Sequence, residues 1–109
     1  MSLENLARND QRYIDRHLRG TQQMQRELSR TGSADVFVDE AMLRWVEQKL
    51  LQNVIFTGRV RGADQYGYLF NDVIGYRIDL KGSEIPLCYG ELKIKDGRYH
   101  AIPRTKASY

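Results

Sequence analysis

After Asn53 the apolar residues change their spacing, from the three-and-four rhythm of a helix to the alternation of a strand. No other feature constrains the fold as strongly, because the first half must then be helical and the second half sheet. Val54, Phe56 and Val60 alternate with Thr57, Arg59 and Arg61, and Ile74, Tyr76, Ile78 and Leu80 alternate with Arg77 and Asp79. Asp96 followed by Gly97 between two alternating segments is a strong hairpin signal, since both central positions of a tight turn need a left-handed backbone. The pattern predicts strands over residues 54–61, 66–70, 73–80, 87–95 and 98–103, with turns at 62–65 and 71–72 and a loop at 81–86.

Residues 3–30 lack proline and contain one interior glycine, Gly20. At about 100° per residue, Leu3, Leu6, Ala7, Tyr13, Ile14, Leu18, Met24 and Leu28 fall on one side of a helix. Arg8, Arg12, Arg16, Arg19, Arg26 and Arg30 fall in a stripe opposite. The spacing predicts one amphipathic helix, stopped by Thr31, Gly32 and Ser33 and bent at Gly20, where glycine costs about 1 kcal/mol. Residues 35–39 read as a connector, and Asp39 caps a second helix whose Met42, Leu43, Val46 and Leu50 face the core, together with Trp45.

The expected organisation is a single α+β domain: a helix over residues 1–32, a second over 39–52, a sheet over 53–103 and a tail over 104–109. Two helices followed by a strongly bent five-stranded antiparallel sheet is the pattern of small Sm-like, SH3-like and OB-like barrels. Gly58, Gly62, Gly67 and Gly75 then mark bends in the barrel. Tyr66, Tyr68 and Phe70 share one side of their strand, and the last two are assigned to the core.

A chain of 109 residues with 41% hydrophobic and 28% charged residues is an ordinary globular domain. No apolar run approaches the roughly 20 residues that span a bilayer, and the N-terminus lacks the apolar core of a secretory signal. A single cysteine, Cys88, fits a reducing cytoplasm, and with two histidines it makes a closed zinc site unexpected, so no metal or cofactor is expected. The formal charge is +3, and 12 of the 17 cationic residues are arginine, the side chain suited to bidentate phosphate recognition. The arginine stripe reads either as a ridge tracking a phosphate backbone or as a solvated helix face, with Glu4 and Asp15 spaced to pair with Arg8 and Arg19.

Residues 46–72, with Gly58 in the strand followed by Asp64, Gln65 and Tyr66, resemble the first Sm motif of the bacterial Sm-like RNA chaperones, the Hfq family. The run Arg98, Tyr99, His100, Ala101, Ile102 is similar to that family's closing Lys-His-Ala-Ile signature. The resemblance implies a ring oligomer with Gln65, Tyr66 and His100 near an RNA-binding pore and Tyr66 stacking uracil. Residues 58–70 are also similar to the cold-shock RNA-binding pattern.

An enzymatic alternative comes from the hairpin. A two-residue turn at Asp96 and Gly97 pairs Lys95 with Arg98, Lys93 with His100 and Glu91 with Ile102, and directly opposed side chains share a face. Glu91 as base, His100 as acid and Arg98 with the lysines as charge stabilisers would make a metal-independent ribonuclease. Helices followed by an antiparallel sheet resemble the barnase-like ribonucleases, while charged cross-strand pairs on a solvated face explain the same cluster structurally.

The expectation is a small non-enzymatic nucleic-acid-binding protein, with single-stranded RNA favoured. It would bind through Arg8, Arg12, Arg16, Arg19, Arg59, Arg61, Gln65, Tyr66 and His100. The alternatives are a protein-interaction or inhibitor module of a phage or mobile element, and the ribonuclease using Glu91, Arg98 and His100. Self-association is expected through an unprotected edge strand around residues 99–102.

Overall fold

Gly20 closes the turn, residues 16–20, that separates the first helical segment from the next. Its φ is +76°, a left-handed conformation in which a right-handed helix cannot continue. Thr21 then serves as a fresh N-cap, its hydroxyl oxygen accepting the Met24 N–H at 3.1 Å. Instead of one long helix there are two short ones, α1 (Gln11–Asp15) and α2 (Gln22–Thr31), preceded by a two-residue strand β1 (Ala7–Arg8). The computed structural model describes residues 7–53, 55–60 and 63–105, and from 53 to 65 the backbone only.

The chain continues through β2 (Ser33–Phe37), α3 (Glu40–Asn53), β3 (Ile55–Val60), β4 (Ala63–Leu69), β5 (Gly75–Asp79), β6 (Glu84–Leu87), β7 (Tyr89–Lys95) and β8 (Arg98–Arg104). The cap expected for α3 is present, with the Asp39 carboxylate accepting the Met42 N–H at 2.7 Å. The strands form two open sheets, in the orders β1-β8-β7-β4-β3 and β2-β5-β6. The single five-stranded barrel expected from the sequence is therefore not formed.

The reason is local. The expected connector at 35–39 supplies most of β2, whose Ala34 and Val36 point inward, and the expected loop at 81–86 contains most of β6. Between them these two strands take β5 out of the main sheet. Of the glycines read as bends, Gly67 and Gly75 serve close approach, Gly58 lies at a register shift of β3 against β4, and Gly62 is outside the described residues. A Cβ on Gly75 would stand 2.2 Å from the Val36 carbonyl oxygen, and one on Gly67 would stand 1.8 Å from the Tyr89 hydroxyl.

The expected free edge is also partly covered. β1 runs parallel to β8, pairing Ala7 with Arg98 and Arg8 with Tyr99. The Ala7 and Asn9 amides donate to the carbonyls of Gly97 and Tyr99 at 3.0 and 2.8 Å.

The main core joins Leu43, Val46 and Leu50 of α3 to Leu92 and Ile94 of β7 and Ala101 of β8, with Ile14, Phe37, Phe70 and Ile74. A second cluster beneath α2 holds Met24, Ala34, Val36 and Ile78. Phe70 is buried as expected, but Trp45 and Tyr68 are 45% and 42% exposed and pack on its outer side. Trp45 falls on the flank of α3, away from the Leu43, Val46 and Leu50 stripe. Among the described residues no helix is long and apolar enough to cross a membrane.

A basic cleft floored by two histidines

The β7–β8 hairpin has the register its turn chemistry dictates. Asp96 and Gly97 have φ of 54° and 75°, and Lys95, Lys93 and Glu91 pair with Arg98, His100 and Ile102. Alternation then gives the hairpin two unlike faces. Leu92, Ile94 and Ala101 join the core, while Lys93, Lys95, Arg98, His100 and Arg104 line a cleft of about 660 Å³.

The cleft's other walls come from distant parts of the chain. α1 contributes Arg12 and Tyr13, the turn after it Arg16 and His17, β2 Asp35 and β5 Arg77. Asp35 and Arg77 form a two-pronged ion pair, Nε to Oδ1 at 2.7 Å and a terminal nitrogen to Oδ2 at 2.9 Å, which fixes that wall. Beyond Tyr13 the cleft continues as a groove of about 400 Å³ lined by Arg12, Arg16, Arg26 and Arg30. The guanidinium carbons of Arg12 and Arg16 lie 4.9 and 5.5 Å from the centre of the Tyr13 ring.

His17 is held by β2 at two points. Its carbonyl accepts the Phe37 N–H at 2.9 Å, and its Nδ1 lies 2.8 Å from the Asp35 carbonyl oxygen. A carbonyl can only accept, so Nδ1 carries the proton and Nε2 the lone pair. The imidazole stacks on that of His100, with centroids 6.0 Å apart and planes inclined by 17°. Both residues are buried, and the Nδ1 of His100 has no hydrogen-bond partner among the described residues.

Burial holds both imidazoles below the usual histidine range. His17 is pushed down to about 4, chiefly by desolvation, with the Asp35 carbonyl opposing. His100 is pushed down to about 3, again chiefly by desolvation, then by the charges of His17, Lys93, Arg16 and Arg104. Both are therefore neutral near pH 7. Such a site can hold an anion between fixed cations and offer it two imidazole rings. Among the described residues no group of three or more histidine, cysteine or acidic side chains is placed to hold a metal ion.

The residues singled out in the sequence divide sharply. Arg12, Arg16, Arg98 and His100 meet in the cleft. Arg8 instead pairs with the buried Glu47 beside α3, which raises its pKa, and Arg19 pairs with Glu84 and lies over Tyr76. The stripe is thus divided among different partners ahead of Gly20, with Arg8 in β1, Arg12 and Arg16 at the cleft and Arg19 turned to the second sheet. Glu91 shares the hairpin face with His100 but is fully buried and accepts the Arg104 Nε–H at 2.9 Å. It anchors a cation rather than facing the cleft. Arg98 is tied to Asp10 at 2.8 Å.

Tyr66 pairs with Leu92 and packs against the core, on the side of the sheet away from His100. Gln65 pairs with Lys93 in backbone register, its side chain lying outside the described structure, as does that of Arg59 on β3. Arg61 lies outside the described residues. His17 was missed, although one signal for it exists: it is a polar residue on the apolar side of the first helical segment, beside Tyr13, Ile14 and Leu18. Arg104, assigned to the tail, is instead the last residue of β8.

Fold and site together define an α+β protein with a basic, histidine-floored cleft on one side of an open sheet. Residues 5–108 match the family described as a domain of unknown function (DUF6972), and the chain belongs to that family. No curated protein and no solved structure matches it.

Proposed function

We propose that the cleft binds the phosphodiester backbone of single-stranded nucleic acid, RNA foremost. The observation that carries this reading is the convergence of Arg12, Arg16, Arg77, Lys93, Lys95, Arg98 and Arg104 on one cleft against four carboxylates, those of Asp10, Glu27, Asp35 and Asp96. Counting the buried Glu91 that holds Arg104 as a fifth carboxylate, the cations still exceed the carboxylates by two. The groove past Tyr13 gives an extended backbone somewhere to go, with Arg26 and Arg30 along it. Binding would release condensed counterions and weaken steeply with salt.

The test titrates fluorescent single-stranded RNA and DNA of one sequence at several salt concentrations. Arg12→Gln with Arg16→Gln should lower both affinity and salt slope. Affinity indifferent to salt would overturn the reading.

A second reading has its own observation. Trp45, Tyr68 and Leu69 are 45%, 42% and 68% exposed, and the first two flank a cavity of about 350 Å³ on another part of the surface. Such a patch suits a protein partner. Loss of partner capture in Trp45→Ala, with RNA binding intact, would favour the interaction module.

A further inference from the structure

We propose that the cleft cleaves the RNA it binds, without a metal ion, using His17 and His100 as its proton-transfer pair. The inference rests on the binding reading above and names both its substrate class and its chemistry. In-line transesterification of RNA needs one group to take the proton of the 2′-hydroxyl and a second, a few ångströms away, to give a proton to the departing 5′-oxygen. It also needs cations where charge gathers on the phosphorane. The cleft holds these parts in one place: two imidazoles with centroids 6.0 Å apart, and Arg16, Lys93 and Arg104 around them.

A pair of merely structural histidines would be expected to have its ring nitrogens satisfied within the fold. His17 meets that expectation at Nδ1, through Asp35. His100 does not, because its buried Nδ1 has no partner among the described residues although the residue is 94% buried at the cleft floor. That unpaired nitrogen sets His100 apart from a histidine held only by the fold.

The assignment of roles follows from the tautomer. With the Nδ1 proton of His17 directed at Asp35, its Nε2 lone pair is the base and takes the 2′-hydroxyl proton. The O2′–P bond forms, the P–O5′ bond breaks, and protonated His100 gives its proton to O5′. The products are a 2′,3′-cyclic phosphate and a free 5′-hydroxyl end. His17 finishes protonated and His100 neutral, and exchange with water restores both. This pair replaces Glu91 and His100, since the Glu91 carboxylate is withdrawn onto Arg104.

The pH dependence follows from what surrounds the rings. His100 is faced by Tyr13, Arg16 and His17 from α1 and its following turn, and by Lys93 and Arg104 from the hairpin. Glu27 from α2, Asp35 from β2 and Arg77 from β5 complete the walls. In the empty cleft His100 takes a proton only near pH 3, and a bound phosphodiester shifts this upward by offsetting the cations. Cleavage therefore needs acidification to charge its acid, and above that point it should fall by about tenfold per pH unit.

The experiment incubates the full chain in EDTA, between pH 5 and 8, with a single-stranded RNA, the same sequence as DNA, and a fully 2′-O-methylated RNA. The expected result is fragments ending in 2′,3′-cyclic phosphate from RNA alone, formed faster at low pH, while the methylated RNA binds and stays intact. His100→Gln and His17→Gln should each slow cleavage by about 10²–10⁴-fold at RNA concentrations that saturate the variant. The methylated substrate tests the chemistry without relying on either variant to fold. RNA that binds with a salt-dependent affinity yet stays intact at every pH overturns this inference and leaves the binding reading standing. RNA that neither binds nor is cut overturns both. Cleavage that survives in folded variants of both histidines also overturns it.

Discussion

The β7–β8 hairpin carries two faces of opposite chemistry, one buried throughout and one with a buried centre and an exposed cationic rim. On one, Leu92, Ile94 and Ala101 are 0%, 2% and 3% exposed among the side chains of α3. On the other, Glu91 and His100 are 0% and 6% exposed, His100 beneath the rings of Tyr13 and His17. Burying a polar group costs stability unless each of its atoms finds a partner, and His100 Nδ1 has none among the described residues. A second apolar face would hold α1 in place at less cost. The difference teaches that the two layers serve different ends: one supplies folding free energy, the other uses part of it to keep charged and titratable groups in a fixed arrangement.

The largest effect that could break this comparison belongs to the apolar face. Leu92→Ala removes a fully buried side chain opposite Val46 and Leu50, and should cost about 2–5 kcal/mol in urea unfolding. RNA affinity per folded molecule should be unchanged. A loss below about 1 kcal/mol would mean that this face is not the stabilising one.

The polar face should reveal itself through pH. His17 and His100 bind protons near pH 4 and 3 when folded, against about 6.5 when unfolded, so between these limits the unfolded chain holds more protons. Stability therefore rises with pH in that window, is complete above about pH 7, and is lost on acidification. Each histidine contributes up to about 1.4 kcal/mol per pH unit below 6.5, on the order of 3 kcal/mol by pH 4. Unfolding curves from pH 4.5 to 7.5 should show the slope, and His100→Gln should flatten it. Leu92→Ala should lower the curve without changing its slope. Equal slopes in all three proteins would remove the distinction between the faces.

The hairpin behind this comparison could be read from the sequence because its determinants are local. Asp96 and Gly97 fix the turn, the turn fixes the register, and the register places Lys93, Lys95, Arg98 and His100 together. α3 was equally readable, since Asp39 caps it and its apolar residues recur at helical spacing. What failed depended on distant partners. Residues 33–37 make a strand because β5 lies beside them, and β6 exists only as the edge of that second sheet. His17 reaches the cleft because β2 grips it at Asp35 and Phe37, a contact no periodicity encodes. The arginine stripe assumed a continuous helix, but Arg8 lies in β1, α1 ends at Asp15, and the chain turns through Gly20 before α2 begins.

A smaller effect sharpens the cationic side of the contrast. Arg16 lines both the cleft and its continuation past Tyr13, and its nearest carboxylate, Glu27, is 3.9 Å away. Arg16→Gln should reduce the salt slope of RNA binding by about 1 and weaken binding similarly for different sequences. A sequence-dependent loss would instead assign Arg16 to base recognition.

The smallest expected effect is at Arg19, three residues on in the same sequence stripe. Arg19 has left the cleft: its guanidinium is shared between Glu84 on β6 and the face of Tyr76, 5.4 Å from the ring centre. Both partners belong to the second sheet, and the arginine side chain is 42% exposed. An exposed pair of this kind is worth about 0–1 kcal/mol, so Arg19→Gln should shift unfolding within that range. RNA affinity and salt slope should match the parent protein, because no phosphate contact is removed. A continuous helical stripe requires the opposite, with Arg16→Gln and Arg19→Gln weakening binding alike. Measuring the two variants side by side therefore decides whether the end of α1 at Asp15 separates the cleft's cations from the one that ties the following turn to the second sheet.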